Sequence, residues 1–286
     1  EIYTLSLHDA LPILPKAIFE IVDALSGREH LTNVKTIETI YFGKAKPGTL
    51  FMVIGVDPPA LRWSTPLQLT RAGRQYLHDV MHLTSDFKSS DAAYAKRLLF
   101  FLNYLEHADD MLARDAYDEF ARAPYSSVTL LKKDLNHGKL VEWISDRSIS
   151  PSRRRLYFTL LGVTGESADI PMLEKLLKSE DRKDRAGLDA LIGCYITLQG
   201  KKALPLIEDL FLKNEDAEYA DTYGAIMALR FHGTEGNVVT RKDVLSSLRC
   251  MLDRPKVADL IIPDLARWED WDAMPRLVQL FKDADD

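Results

Sequence analysis

His78 and His82 lie four residues apart in the segment HDVMH and would share one face of a helix. Two imidazoles at that spacing can hold a zinc ion, and the segment differs from the metalloprotease pattern HExxH by Asp79 in place of glutamate. The shorter aspartate would not reach a metal-bound water in the same way. Glu106 or His107 would be guesses at a third ligand. Two solvent-facing histidines on a connecting helix explain the same spacing, so no metal and no cofactor is assigned. Arg153-Arg154-Arg155 opens a predicted helix, where positive charge opposes the helix dipole and a local partner is expected. That partner is an anion, or an acid of the preceding segment such as Asp146 or Glu142. Trp268-Glu269-Asp270-Trp271 sets two aromatic rings around two acids, an arrangement expected to pack between structural units.

Other reactive patterns are missing from the sequence. It holds no G-x-S-x-G, no phosphate loop, no G-x-G-x-x-G and no Cys/His cluster. Cys194 and Cys250 are the two cysteines, each inside an apolar helical pattern, and read as small core residues rather than as a disulfide. The 286 residues are 46% hydrophobic and 28% charged, the composition of a globular protein with ample core material. The net charge of -6 argues against a nucleic-acid partner, which calls for a basic face. No apolar run is long enough to span a bilayer.

The elements that would position these residues fall into two parts. Residues 14–66 read as a small, incomplete β domain. Ala17–Ala24, Val34–Phe42 and Thr49–Val56 are predicted strands, with a fourth near Leu61–Ser64, and Lys46-Pro47-Gly48 is a turn. Phe19–Gly27 (F-E-I-V-x-x-L-x-G) followed by Gly48–Gly55 (G-T-L-F-M-V-I-G) resembles the small OB-like barrels of the netrin class, which implies a closed barrel; an ordinary β-meander fits the same residues. Residues 67–90 form a connecting helix and linker, with the helix at Arg71–Leu83.

Residues 91–286 repeat. Pro171-Met-Leu-Glu-Lys-Leu-Leu-Lys matches Pro205-Leu-Ile-Glu-Asp-Leu-Phe-Leu at an offset of 34, and Pro275-Arg-Leu-Val-Gln-Leu-Phe-Lys matches both. Ser246–Asp253 and Gly138–Ser145 keep the same apolar spacing. Second helices are predicted at Pro151–Thr164, Arg185–Leu198, Ala217–Phe231 and Lys256–Trp268, and an earlier pair at Tyr94–Leu105 and Asp110–Ala123. Small residues such as Ala113, Ala116, Ala186, Ala190, Ala220 and Gly224 would let neighbouring helices approach closely. Ser150-Pro151, Asp169 and Thr240-x-x-Asp243 read as caps, and Gly165, Gly200 and Gly233 as left-handed residues past helix ends. The pattern resembles HEAT-like repeats, the bacterial type of stacked helical hairpins. The uneven steps of 34, 41 and 29 residues separate it from tetratricopeptide repeats, whose period is nearly fixed.

The expected fold is therefore mainly α, an α-solenoid of about five and a half HEAT-like helical hairpins preceded by the β segment. The resemblance implies a non-catalytic scaffold that binds another protein along the concave face made by the second helices. Expected contact residues on that face are Asp115, Glu119, Arg122, Arg154, Asp189, Asp221, Arg230 and Arg267. The alternative is an enzyme or enzyme subunit that uses the solenoid as a substrate platform, as HEAT-like DNA glycosylases and phycobilin lyases do. Finally, residues 1–13 (EIYTLSLHDALPI) are the translation of the end of a universal short-read sequencing adapter. They are read as an artefact in a metagenomic fragment, with the true start lost, export left open, and the last hairpin cut at Asp286.

Overall fold

A computed structural model describes residues 16–83 and 85–283, together with the backbone of residues 2–8. Glu1, residues 9–13 of the adapter-like segment and Asp286 lie outside the described residues. The chain divides into two compact units, residues 1–87 with 100–118, and residues 88–99 with 119–286.

In the first unit, the strands are β1 (Ile2–His8), β2 (Lys16–Ala24), β3 (Thr36–Ile40), β4 (Leu50–Val56), β5 (Arg62–Trp63) and β6 (Leu67–Leu69). All pair antiparallel in the order β3-β2-β1-β4-β5, and β6 also pairs with β4. Alternation sets the core face: Phe19, Ile37, Phe51 and Val53 point inward, as successive side chains of a strand must face opposite sides. Phe19, Tyr41 and Phe51 meet edge to face, with centroids 5.2–5.9 Å apart. Gly48 takes φ 84 in the expected turn, a conformation a side chain would strain. Buried Thr39 of β3 donates to the carbonyl of Trp63 in β5 at 3.5 Å and to that of Ser64 just after it at 3.2 Å. The adapter-like residues Ile2–His8 occupy the central strand, with Leu7 opposite Phe19 and Leu5 opposite Phe51. Pairing asks only for an extended alternating segment, and I-Y-T-L-S-L-H supplies one.

Helix dominates the rest: α1 (Arg71–Met81), α2 (Asp91–Leu102), α3 (Asp110–Arg122), α4 (Tyr125–Thr129), α5 (His137–Ser145), α6 (Pro151–Thr164), α7 (Ile170–Leu177), α8 (Leu188–Gln199), α9 (Leu204–Ile207), α10 (Tyr219–Thr234), α11 (Arg241–Arg249), α12 (Ile262–Arg267) and α13 (Met274–Asp283). No described helix is long and apolar enough to cross a membrane. Ser150 caps α6 ahead of Pro151, as expected. Thr240 and Asp243 cap α11 reciprocally, and the Lys201 ammonium with the Thr240 hydroxyl lowers the Asp243 carboxyl to about 2.

Four local expectations fail. Asp169 does not cap α7 directly; it closes a capping box with Glu166 one turn earlier. Gly165 has φ -65, so only Gly200 of the three glycines (φ 62) is left-handed at a helix end. Gly233 lies inside α10, where an added Cβ would come within 2.5 Å of the Trp268 ring. The second helix expected over Lys256–Trp268 shrinks to α12, because Pro263 lacks a backbone donor and its ring obstructs the turn before it.

Candidate functional site

Within the second unit, α8 packs between α6 and α10. One polar link recurs along these second helices. Arg155 donates to Asp189 at 2.7 Å, Arg185 to Asp221 at 2.5 Å, and Arg230 to Asp264 at 2.8 Å, across 34, 36 and 34 residues. Each acceptor stands in the first turn of the following second helix, where a carboxylate also suits the helix dipole. Asp264 is fully buried, and Arg230 Nη2 also lies 2.7 Å from its carboxylate. His232 of α10 is also buried; its Nε2 lies 3.0 Å from the Gly193 carbonyl of α8, so that nitrogen carries the proton. Its Nδ1 has no hydrogen-bond partner among the described residues, and burial lowers its pKa.

Between the same helices lies an open groove of about 270 Å³. Gly162, Ala190, Gly193 and Ala228 leave room for it. Phe158, Met227, Phe231 and Tyr125 wall it, and the Arg155–Asp189 pair stands at its edge. Cys194 is buried beside it, and loss of hydration pushes its thiol pKa far up, so it is an unreactive neutral group. Cys194 and Cys250 are both free thiols.

The eight expected contact residues do not gather into one site. Asp189 lines the groove. Arg154 is a correction: it is 2% exposed, and its guanidinium donates to the backbone carbonyls of Lys183 and Asp184. Arg154 and Arg155 thus find partners in the following segment, on the carbonyls of the turn before α8 and on Asp189 in its first turn. Asp221 and Arg230 are tied up in the recurring link. Asp115 accepts from the Tyr76 hydroxyl at 2.6 Å, and Glu119 from Arg97 at 2.8 Å. Arg122 and Arg267 keep largely exposed side chains, 3.8 Å from Glu119 and 3.6 Å from Asp264.

The other candidates resolve similarly. The rings of His78 and His82 lie tilted against each other with centroids 4.4 Å apart, and His82 Nδ1 lies 2.7 Å from the His78 carbonyl. His107 Nδ1 accepts from the Asp109 backbone at 3.0 Å. No group of three His, Cys, Asp or Glu among the described residues is arranged to hold a metal. Trp268 packs over Gly233 with the Arg241 guanidinium 5.7 Å from its ring, whereas Trp271 is 70% exposed and departs from the expected packing. Asp270 is buried and binds Arg249 through both oxygens, while Glu269 beside it is exposed.

Sequence reasoning missed the groove because it is built from small and apolar residues. The signal present was the row Gly162, Gly193, Ala228, recurring at nearly the repeat spacing. No protein-family model, no curated protein and no solved structure matches this chain.

Proposed function

We propose that the helical hairpins form a HEAT-like α-solenoid that acts as a non-catalytic scaffold and holds a partner protein on the face of α6, α8 and α10. One observation carries this reading: that face offers an apolar groove whose neighbouring charges are already closed on one another. Such a surface recognises by shape and apolar contact. A nucleic-acid groove would need free cations, and Arg154 and Arg230 are bound to carbonyls and to Asp264.

The test is selection of binders from a random-peptide display library on the full chain, followed by hydrogen-exchange mapping. The reading expects protection concentrated on α6, α8 and α10. Protection confined to α5, α7 and α11 would contradict it.

A further inference from the structure

Gly193 sits in the middle of α8, where glycine is less stable than alanine. Other glycines have local reasons: Gly187 and Gly200 take positive φ, and Gly233 yields to Trp268. A Cβ at Gly193 would meet nothing within 4 Å. Gly48 shares that open space but has φ 84. No contact among the described residues explains why position 193 lacks a side chain. The space it leaves belongs to the groove.

The walls define what would fill it. Phe158, Phe231, Tyr125 and Met227 suit an aromatic ring. Tyr125 is half-buried and its hydroxyl has no hydrogen-bond partner among the described residues, so one polar atom can be met there. The edge charges are mutually neutralised, which disfavours a charged occupant. About 270 Å³ lies just under the roughly 300–1,000 Å³ of pockets for drug-sized ligands and fits a single side chain.

The surface continues beyond the groove. Along α10, Met227 leads to Tyr223 and Tyr219, which are 40% and 60% exposed and stack in parallel at 6.3 Å. At a rise of about 1.5 Å per residue, Phe231 and Tyr219 stand about 18 Å apart. That is the reach of roughly five or six extended residues. A small molecule in the groove would leave these tyrosines uncovered, whereas a peptide would not.

We infer that the groove receives one aromatic side chain of a short, uncharged peptide segment of a partner protein, with flanking residues lying over Tyr223 and Tyr219. This rests on the scaffold reading above. Peptides selected on the full chain are synthesised and their affinities measured by fluorescence anisotropy. The expected consensus carries one aromatic residue and no net charge. Gly193→Leu fills the groove and weakens binding by about thirtyfold or more, the loss of one anchor residue. Tyr125→Phe, which leaves the packing intact, weakens binding by a smaller factor. Tyr219→Ala with Tyr223→Ala weakens it as well. Selected peptides that bind Gly193→Leu and Tyr125→Phe as tightly as the parent chain would overturn this inference and leave the scaffold reading standing. A charged consensus would overturn the proposed occupant. Failure to enrich any peptide would overturn both.

Discussion

Phe211 and Phe281 stand at matching positions, six residues after Pro205 and Pro275, yet Phe211 is 2% exposed and Phe281 84%. Leu177, six residues after Pro171, is 1% exposed. The segments share their apolar spacing, so the difference lies in what covers them. α7 packs on α8, and the helical turn holding Phe211 packs on α10, whose Thr222 donates to the Phe211 carbonyl at 3.1 Å. Buried Arg254 donates to the same carbonyl and to that of Leu212. α13 has no such second helix among the described residues, and none of its residues is buried. An amphipathic stripe therefore specifies a face that needs cover, and the neighbouring helix decides whether the cover is there.

The largest test of that comparison is truncation. Phe211→Ala should lower stability by about 3–5 kcal/mol, and Phe281→Ala by less than about 0.5 kcal/mol, in urea unfolding. Equal losses would show that the two positions share one environment and break the comparison. Next come the links between second helices. Arg230→Ala strands the buried Asp264 carboxylate and should remove about 3 kcal/mol or more. Arg182→Ala opens an exposed pair with Glu218 and should leave the unfolding midpoint unchanged. If both arginines behave alike, the links contribute nothing specific to the stacking.

Acid sharpens the contrast further. Burial holds neutral His232 below its ordinary pKa, so the unfolded chain binds the proton more readily. Its contribution is complete above about pH 6.5 and falls as the pH drops below that value, by at most about 1.4 kcal/mol per unit. Urea midpoints measured between pH 7 and pH 5.5 should decline, and His232→Gln should flatten that decline. An unchanged slope in the variant would show that another group carries the acid sensitivity.

Much of the helical order was legible in the sequence. The Ser150-Pro151 cap fixes the start of α6, and the Thr240/Asp243 box fixes that of α11, because each is a local backbone requirement. The strands β2, β3 and β4 followed from alternation, while β6, only Leu67–Leu69, was too short to declare itself. The site was far less legible. Contact residues were sought among charged side chains, yet those groups close on neighbouring segments of the chain, as Arg154 does on the carbonyls of Lys183 and Asp184 and Asp221 on Arg185. The groove arises where side chains are small, at Gly162, Gly193 and Ala228, and exists only once three separated helices come together.

The most direct test of the groove needs no partner. Gly193→Ala adds one methyl to a space that no atom of the described residues fills. Thermal and urea unfolding should show stabilisation by roughly 0.4–1 kcal/mol, the usual gain for a glycine replaced inside a helix without a clash. A loss of stability would mean that the space is already used by the protein's own packing, and the groove would no longer stand as a binding site.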